Sequence, residues 1–67
     1  MIIYDEQIRK LKPYIGNIYE LIQNGDVQEL LDAIDDVIIE NILDNNDEPD
    51  EEGIALQKIY DQINYQN

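Results

Sequence analysis

The stretch DVQELLDAIDDVIIENILDNNDEPDEE, residues 26–52, decides the fold of this chain. It holds twelve carboxylates and neither Lys nor Arg, so the formal net charge of -12 belongs to this segment. Apolar residues are threaded among the acids at the three- and four-residue spacing of one helix face: Val27, Leu31, Ile34 and Ile38. A solvated acidic tail would lack that apolar component. The stretch therefore predicts a helix over about 27–43 with a core side and an acidic side.

The acidic side of that predicted helix carries the candidate binding residues. Glu29, Asp32, Asp36 and Glu40 follow at spacings of three, four and four, and we call them the acidic face. At a rise of about 1.5 Å per residue they span about 16 Å, and with Asp35 they place about one carboxylate every 3–4 Å. A single DNA strand presents one phosphate per ~3.4 Å. The spacing therefore predicts a surface that imitates nucleic acid.

The first segment predicts a helix over about 4–23 with a break near Pro13. Its apolar residues form one seam whose phase continues across the proline: Tyr4, Ile8, Leu11, Ile15, Ile18 and Ile22. Pro13 removes one backbone hydrogen bond and clashes with the preceding turn, so we expect either a kink or two nearly collinear pieces. Tyr4 is expected to lie in the core.

The junction Asn24-Gly25-Asp26 predicts a helix end followed at once by a helix start. Gly25 can adopt the left-handed conformation that closes a helix. Asp26 can cap the next helix, and Glu29 is placed to complete a capping box. Because this connection is so short, we expect the first two helices to pack antiparallel.

The last segment predicts a helix over about 49–63 that opens at Pro49 and ends in a fraying polar tail after Ile63. Acids before and within its first turn extend the candidate binding surface: Asp47, Glu48, Asp50, Glu51 and Glu52. The predicted fold class is all-α, with residues 1–67 as one helical domain. Its arrangement is an antiparallel helical hairpin with a third helix packed across it, a small three-helix bundle.

The composition argues against an enzyme. The chain contains no Ser, Thr, Cys or His, so the common nucleophiles and the commonest general base are missing. An EF-hand that begins at Asp44 would place Pro49 at the turn position and Ala55 at the bidentate position, so we expect no calcium site. No cofactor and no metal are expected.

The basic residues are too few for direct nucleic-acid binding. They are Arg9, Lys10, Lys12 and Lys58, and the central acidic field would repel phosphates. No apolar run approaches the length of a membrane span and no signal peptide is evident, so we expect a cytoplasmic protein without a membrane partner. Since a chain of 67 residues is marginally stable alone, self-association into a homodimer stays open.

Two functions fit this pattern. The first is a protein-binding protein whose acidic face mimics nucleic acid and inhibits a basic DNA- or RNA-binding protein. The alternative is a structural or regulatory adaptor that binds a partner helix through an apolar and Tyr-rich patch, with the acids serving solubility. Its candidate residues are Ile39, Leu43, Tyr14 and Tyr19.

In size, acidity, helical pattern and an Ile- and Asn-rich composition typical of AT-rich genomes, the chain resembles accessory proteins of phages and mobile elements. These include DNA-mimic, anti-restriction and anti-CRISPR types. The resemblance implies inhibition of a basic partner protein of host or phage. It is one of overall character, so it assigns no residue a role.

Overall fold

The computed structural model describes residues 1–44 and 51–67, with side chains for 1–42 and 51–67. These residues form four α-helices and no strand, which confirms the all-α class. The helices are α1 (Asp5–Leu11), α2 (Ile18–Asn24), α3 (Val27–Asp44) and α4 (Glu51–Gln66). α3 packs against both α2 and α4. The described part of the chain therefore contains four helices, with α3 packed against two of them, where the sequence predicted a three-helix bundle.

The predicted first helix is divided into α1 and α2, and the break is wider than a kink at Pro13. Lys12 is the last residue in helical conformation, and residues 12–17 connect the two helices. The carbonyl of Leu11 accepts hydrogen bonds from the backbone N–H groups of Tyr14 (3.0 Å) and Ile15 (2.8 Å). The carbonyl that Pro13 leaves without an intrahelical donor is that of Arg9, four residues earlier, and the two bonds to Leu11 close the turn that follows α1. The chain then turns instead of continuing the helix.

The junction between α2 and α3 forms as the sequence predicts. Gly25 has φ 72° and its N–H donates to the carbonyl of Ile22 at 3.1 Å. The Asp26 carboxylate accepts from the backbone N–H groups of Gln28 (3.0 Å) and Glu29 (3.3 Å), so it caps α3. Among the described residues no return bond from the Glu29 side chain completes the box.

The core lies where α2, α3 and α4 meet, together with the end of α1. Eleven hydrophobic side chains are buried there: Leu11, Ile15, Ile18, Leu21, Leu30, Leu31, Ile34, Ile38, Leu56, Ile59 and Ile63. Most belong to the predicted apolar faces, since helical periodicity determines which side of each helix meets its neighbours. Tyr60 packs against this core, whereas Tyr4 is 59% exposed, so the prediction of a core Tyr4 is wrong.

The end of α4 is ordered further than the sequence predicts. The helix continues to Gln66, three residues beyond the predicted end at Ile63. The Asn67 side chain holds the first residues of the chain: its Oδ1 accepts from the Ile2 N–H at 2.8 Å, and its Nδ2 donates to the Ile2 carbonyl at 3.0 Å. The predicted fraying after Ile63 is therefore wrong, because polar side chains there bind the opposite end of the chain.

A buried glutamine on α1 completes this link between the chain ends. The Gln7 side chain is only 6% exposed. Its Nε2 donates to Oε1 of Gln66 (2.8 Å) and Gln62 (3.1 Å), and its Oε1 accepts from the Tyr4 N–H (3.1 Å). Every polar atom of this amide is thus satisfied, which is what a buried polar group requires. The network fixes α1 against α4.

Candidate functional site

The acidic face lies on the solvent side of α3. Burial of Leu30, Ile34 and Ile38 orients that helix, because residues at these spacings share one side. Glu29, Asp32, Asp36 and Glu40 lie on the other side and all are exposed, as is Asp35. The row of carboxylates that the sequence predicted is therefore continuous along the helix.

The acidic face has no counter-ion among the described residues. Among the described residues, an ion pair joins Lys10 Nζ to Glu6 Oε1 at 3.2 Å, but it lies on the surface of α1 and not on the acidic face. On α3, the Gln28 amide donates to the Asp32 carboxylate at 3.0 Å, which orients that carboxylate without neutralising it. Carboxylates four residues apart repel each other by a few tenths of a kcal/mol per pair. α3 thus tolerates a repulsion that a single Lys could relieve.

Exposed acids continue from the acidic face of α3 onto the first turn of α4, and we call the two together the acidic surface. Glu40 and Glu52 line one shallow groove of about 180 Å³, together with Tyr14 from the turn after α1. Glu51 and Glu52 are exposed in the first turn of α4, where negative side chains stabilise the positive end of the helix dipole. The remaining predicted acids lie outside the described residues: Asp47, Glu48 and Asp50.

Ile39 of the alternative patch lies within the acidic surface. It is 47% exposed, and it follows Asp35 by four residues and Asp36 by three, so all three share one side of α3. α4 does not cover it, so Ile39 remains in contact with solvent. The Leu43 side chain lies outside the described residues. The acidic surface consequently contains an exposed apolar side chain.

The two Tyr residues of the alternative patch lie in different grooves. Tyr14, 40% exposed, lies beside Glu40 and Glu52. Tyr19, 57% exposed, lies in a groove with Arg9 and Lys12, and the Lys12 ammonium is 4.7 Å from the centre of its ring. That distance permits a cation–π contact. Tyr14 therefore lies with the acidic surface, and Tyr19 lies with the basic residues Arg9 and Lys12.

Sequence periodicity could not have grouped Tyr14 with Glu40 and Glu52. These residues come from three parts of the chain, and their meeting depends on how the turn after α1 packs beside α3 and α4. The available signal was compositional, since exposed Tyr beside acids is common at protein interfaces.

The described residues contain neither a metal-binding cluster nor a membrane-spanning helix. No cluster of three or more Asp and Glu among them could hold a metal ion. Within the same residues, no helix combines the length and the apolar character needed to cross a bilayer. No protein-family model, curated protein or solved structure matches this chain. The acidic surface is therefore the feature of this chain that bears on its function.

Proposed function

We propose that this protein binds the basic nucleic-acid groove of a DNA- or RNA-binding protein and inhibits it by occupying the place of the phosphates. The observation that carries this proposal is the exposed row Glu29, Asp32, Asp36 and Glu40, which has no ion pair among the described residues. The charged residues of this face are all acidic, whereas a surface selected only for solubility usually intersperses both signs.

The mechanism is electrostatic. A row of like charges on a low-dielectric helical support steers a basic partner and speeds its association. The Asp and Glu side chains take the positions of phosphate oxygens and accept hydrogen bonds from Arg and Lys. Ile39, exposed on the same face, adds an apolar contact that the partner's groove can desolvate. Binding is expected to weaken as salt rises, because exposed charges are screened.

The test is competition with DNA. A panel of purified basic DNA-binding proteins is loaded with fluorescent duplex DNA, and release of the DNA is followed by anisotropy as the chain is added. We expect displacement from at least one panel member at low salt, with the loss of displacement as salt is raised. Failure to displace DNA from any of them at low salt would count against the proposal.

A matched pair of variants makes the test specific. Asp32→Asn with Asp36→Asn removes two charges from the acidic face, and Asp5→Asn with Glu20→Gln removes two charges from exposed positions on α1 and α2. Both variants have the same net charge. Only the first is expected to lose displacement; equal loss in both would mean that total charge, and not the acidic face, is responsible.

A second function, the adaptor, is supported by the half-exposed Ile39 and by Tyr14 in its groove. An adaptor would hold its partner through apolar contacts, so binding would persist or tighten at high salt. For it, Ile39→Ala would be more damaging than the loss of two carboxylates. The same partner tested at two salt concentrations separates the two functions.

A further inference from the structure

The outer side of α4 carries a row of exposed residues that the acidic-surface proposal does not use. Ile54, Lys58, Asp61 and Tyr65 are spaced four, three and four apart, and all are exposed. Ile54 is 50% exposed and Tyr65 is 93% exposed. The spacing is that of the contact seam between two paired helices. We call these four residues the α4 stripe.

The α4 stripe lies away from the core. Leu56, Ile59 and Ile63 are buried on the opposite side of α4, where α3 packs. No ion pair involves Lys58 or Asp61 among the described residues, although Asp61 accepts a hydrogen bond from Gln57 at 3.2 Å. The stripe has one charge of each sign, so it is neutral within a chain of net charge -12. Two copies can approach here with less repulsion than at the acidic face.

The α4 stripe is complementary to itself in the antiparallel direction. If two copies of α4 cross with the two-fold axis between Ile59 and Tyr60, Ile54 lies opposite Tyr65 of the second copy. In the same register, Lys58 lies opposite Asp61 of the second copy. Each pair occurs twice, as a two-fold interface requires. Apolar pairs then lie at both ends, and two opposite-charge pairs lie at the centre.

We infer that this protein forms an antiparallel homodimer through the α4 stripe. Pairing covers Ile54 and Tyr65, which the monomer leaves in water, and gives a small chain the additional apolar burial that its own core lacks. Because α3 packs on the other side of α4, the dimer presents two acidic faces outward. The inference does not depend on the proposed function, which rests on the acidic face of α3.

The first test is the association state of the full chain by sedimentation equilibrium. We expect a reversible dimer. Lys58→Asp and Asp61→Lys, each alone, place like charges opposite each other and are expected to weaken the dimer at least about tenfold. The double variant Lys58→Asp with Asp61→Lys restores opposite charges and is expected to restore the dimer. All these positions are exposed, so circular dichroism should find each variant folded.

A matched control separates pairing from total charge. Arg9→Asp makes the same charge change as Lys58→Asp, at an exposed position on α1 outside the stripe. We expect it to leave the dimer nearly unchanged. A chain that stays monomeric at all accessible concentrations, or a double variant that fails to recover the dimer, would overturn the inference.

The register can be tested by cross-linking because the chain contains no Cys. Ile54→Cys and Tyr65→Cys are prepared as separate proteins, and we expect a disulfide dimer after oxidation only when the two are mixed. In the antiparallel register, two copies of position 54 lie about 16 Å apart along the helices, beyond the ~4.4–6.8 Å Cα separation that a disulfide allows. Efficient cross-linking of Ile54→Cys with itself would instead indicate another pairing and refute this one.

Discussion

The side-chain amides of Gln7 and Gln66 hydrogen-bond to each other in both directions, across 59 residues of sequence. Gln7 Nε2 donates to Gln66 Oε1 at 2.8 Å, and Gln66 Nε2 donates to Gln7 Oε1 at 3.2 Å. Gln66 Nε2 also lies 3.2 Å from the Ile2 carbonyl. These hydrogen bonds hold α1 and the last turn of α4 together. Their contribution to stability can be measured directly.

Replacing Gln7 should destabilise the protein more than replacing an exposed glutamine. Gln7→Ala removes the hydrogen bonds of this buried amide to the Tyr4 N–H, Gln62 and Gln66, although Gln66 keeps its bond to the Ile2 carbonyl. We expect a loss of about 1–3 kcal/mol in the free energy of unfolding. Gln57→Ala, which removes an exposed hydrogen bond to Asp61, should change it by less than about 0.5 kcal/mol. Urea denaturation of both variants measures the difference. Equal values would mean that the Gln7 network contributes nothing beyond a surface contact.

Two glycine substitutions should act in opposite directions. Gly25 has φ 72°, and a Cβ added there meets nothing within 4 Å, so Gly25→Ala should cost about 1–2 kcal/mol from backbone strain alone. A Cβ on Gly16 also meets nothing within 4 Å, and its φ lies outside the left-handed region. Gly16→Ala should therefore stabilise the fold by about 0.4–1 kcal/mol, through the unfolded chain. Thermal melts compare the two, and a stabilised Gly25→Ala would contradict the left-handed cap.

Relieving the charge repulsion on α3 should raise stability and lower binding together. Asp36→Lys places an ammonium four residues from both Asp32 and Glu40, and we expect a gain of about 0.5–1 kcal/mol at low salt. Asp36→Asn, which removes the charge without reversing it, should gain less. DNA displacement should fall in both variants, and it should fall further in Asp36→Lys than in Asp36→Asn. If Asp36→Lys displaced DNA as effectively as the unmodified chain does, the acidic face would not be the binding surface.

Two of the isoleucines of α3, Ile34 and Ile39, should differ sharply on truncation. Ile34 is fully buried and Ile39 is 47% exposed. Ile34→Ala should therefore cost about 2–5 kcal/mol through lost burial and the cavity that remains, whereas Ile39→Ala should cost less than about 0.5 kcal/mol. Denaturant melts test the stability, and partner binding is measured on Ile39→Ala, which should fold normally. A strongly destabilised Ile39→Ala would mean that this side chain is part of the core.

Features determined by neighbouring residues could be predicted from the sequence. The Gly25 and Asp26 caps act within one turn, and the buried side of α3 follows from its periodicity. Pro13 marked a break but not its width, because the length of the connection depends on how Ile15 and Ile18 reach the core. The Gln7 network could not be predicted, because its partners lie 55 and 59 residues away. Glutamine is also polar, so the apolar periodicity of the helices gives no sign that it is buried. For the same reason Tyr14 could not be assigned to the groove of Glu40 and Glu52.

The bond between the Ile2 N–H and the Asn67 side chain brings residues 2 and 67 within reach of one another. A peptide linker of a few residues could therefore close the chain into a ring with little distortion. Such a cyclic form would resist exopeptidases and would lose less entropy on refolding, while the carboxylates of α3 stayed where they are.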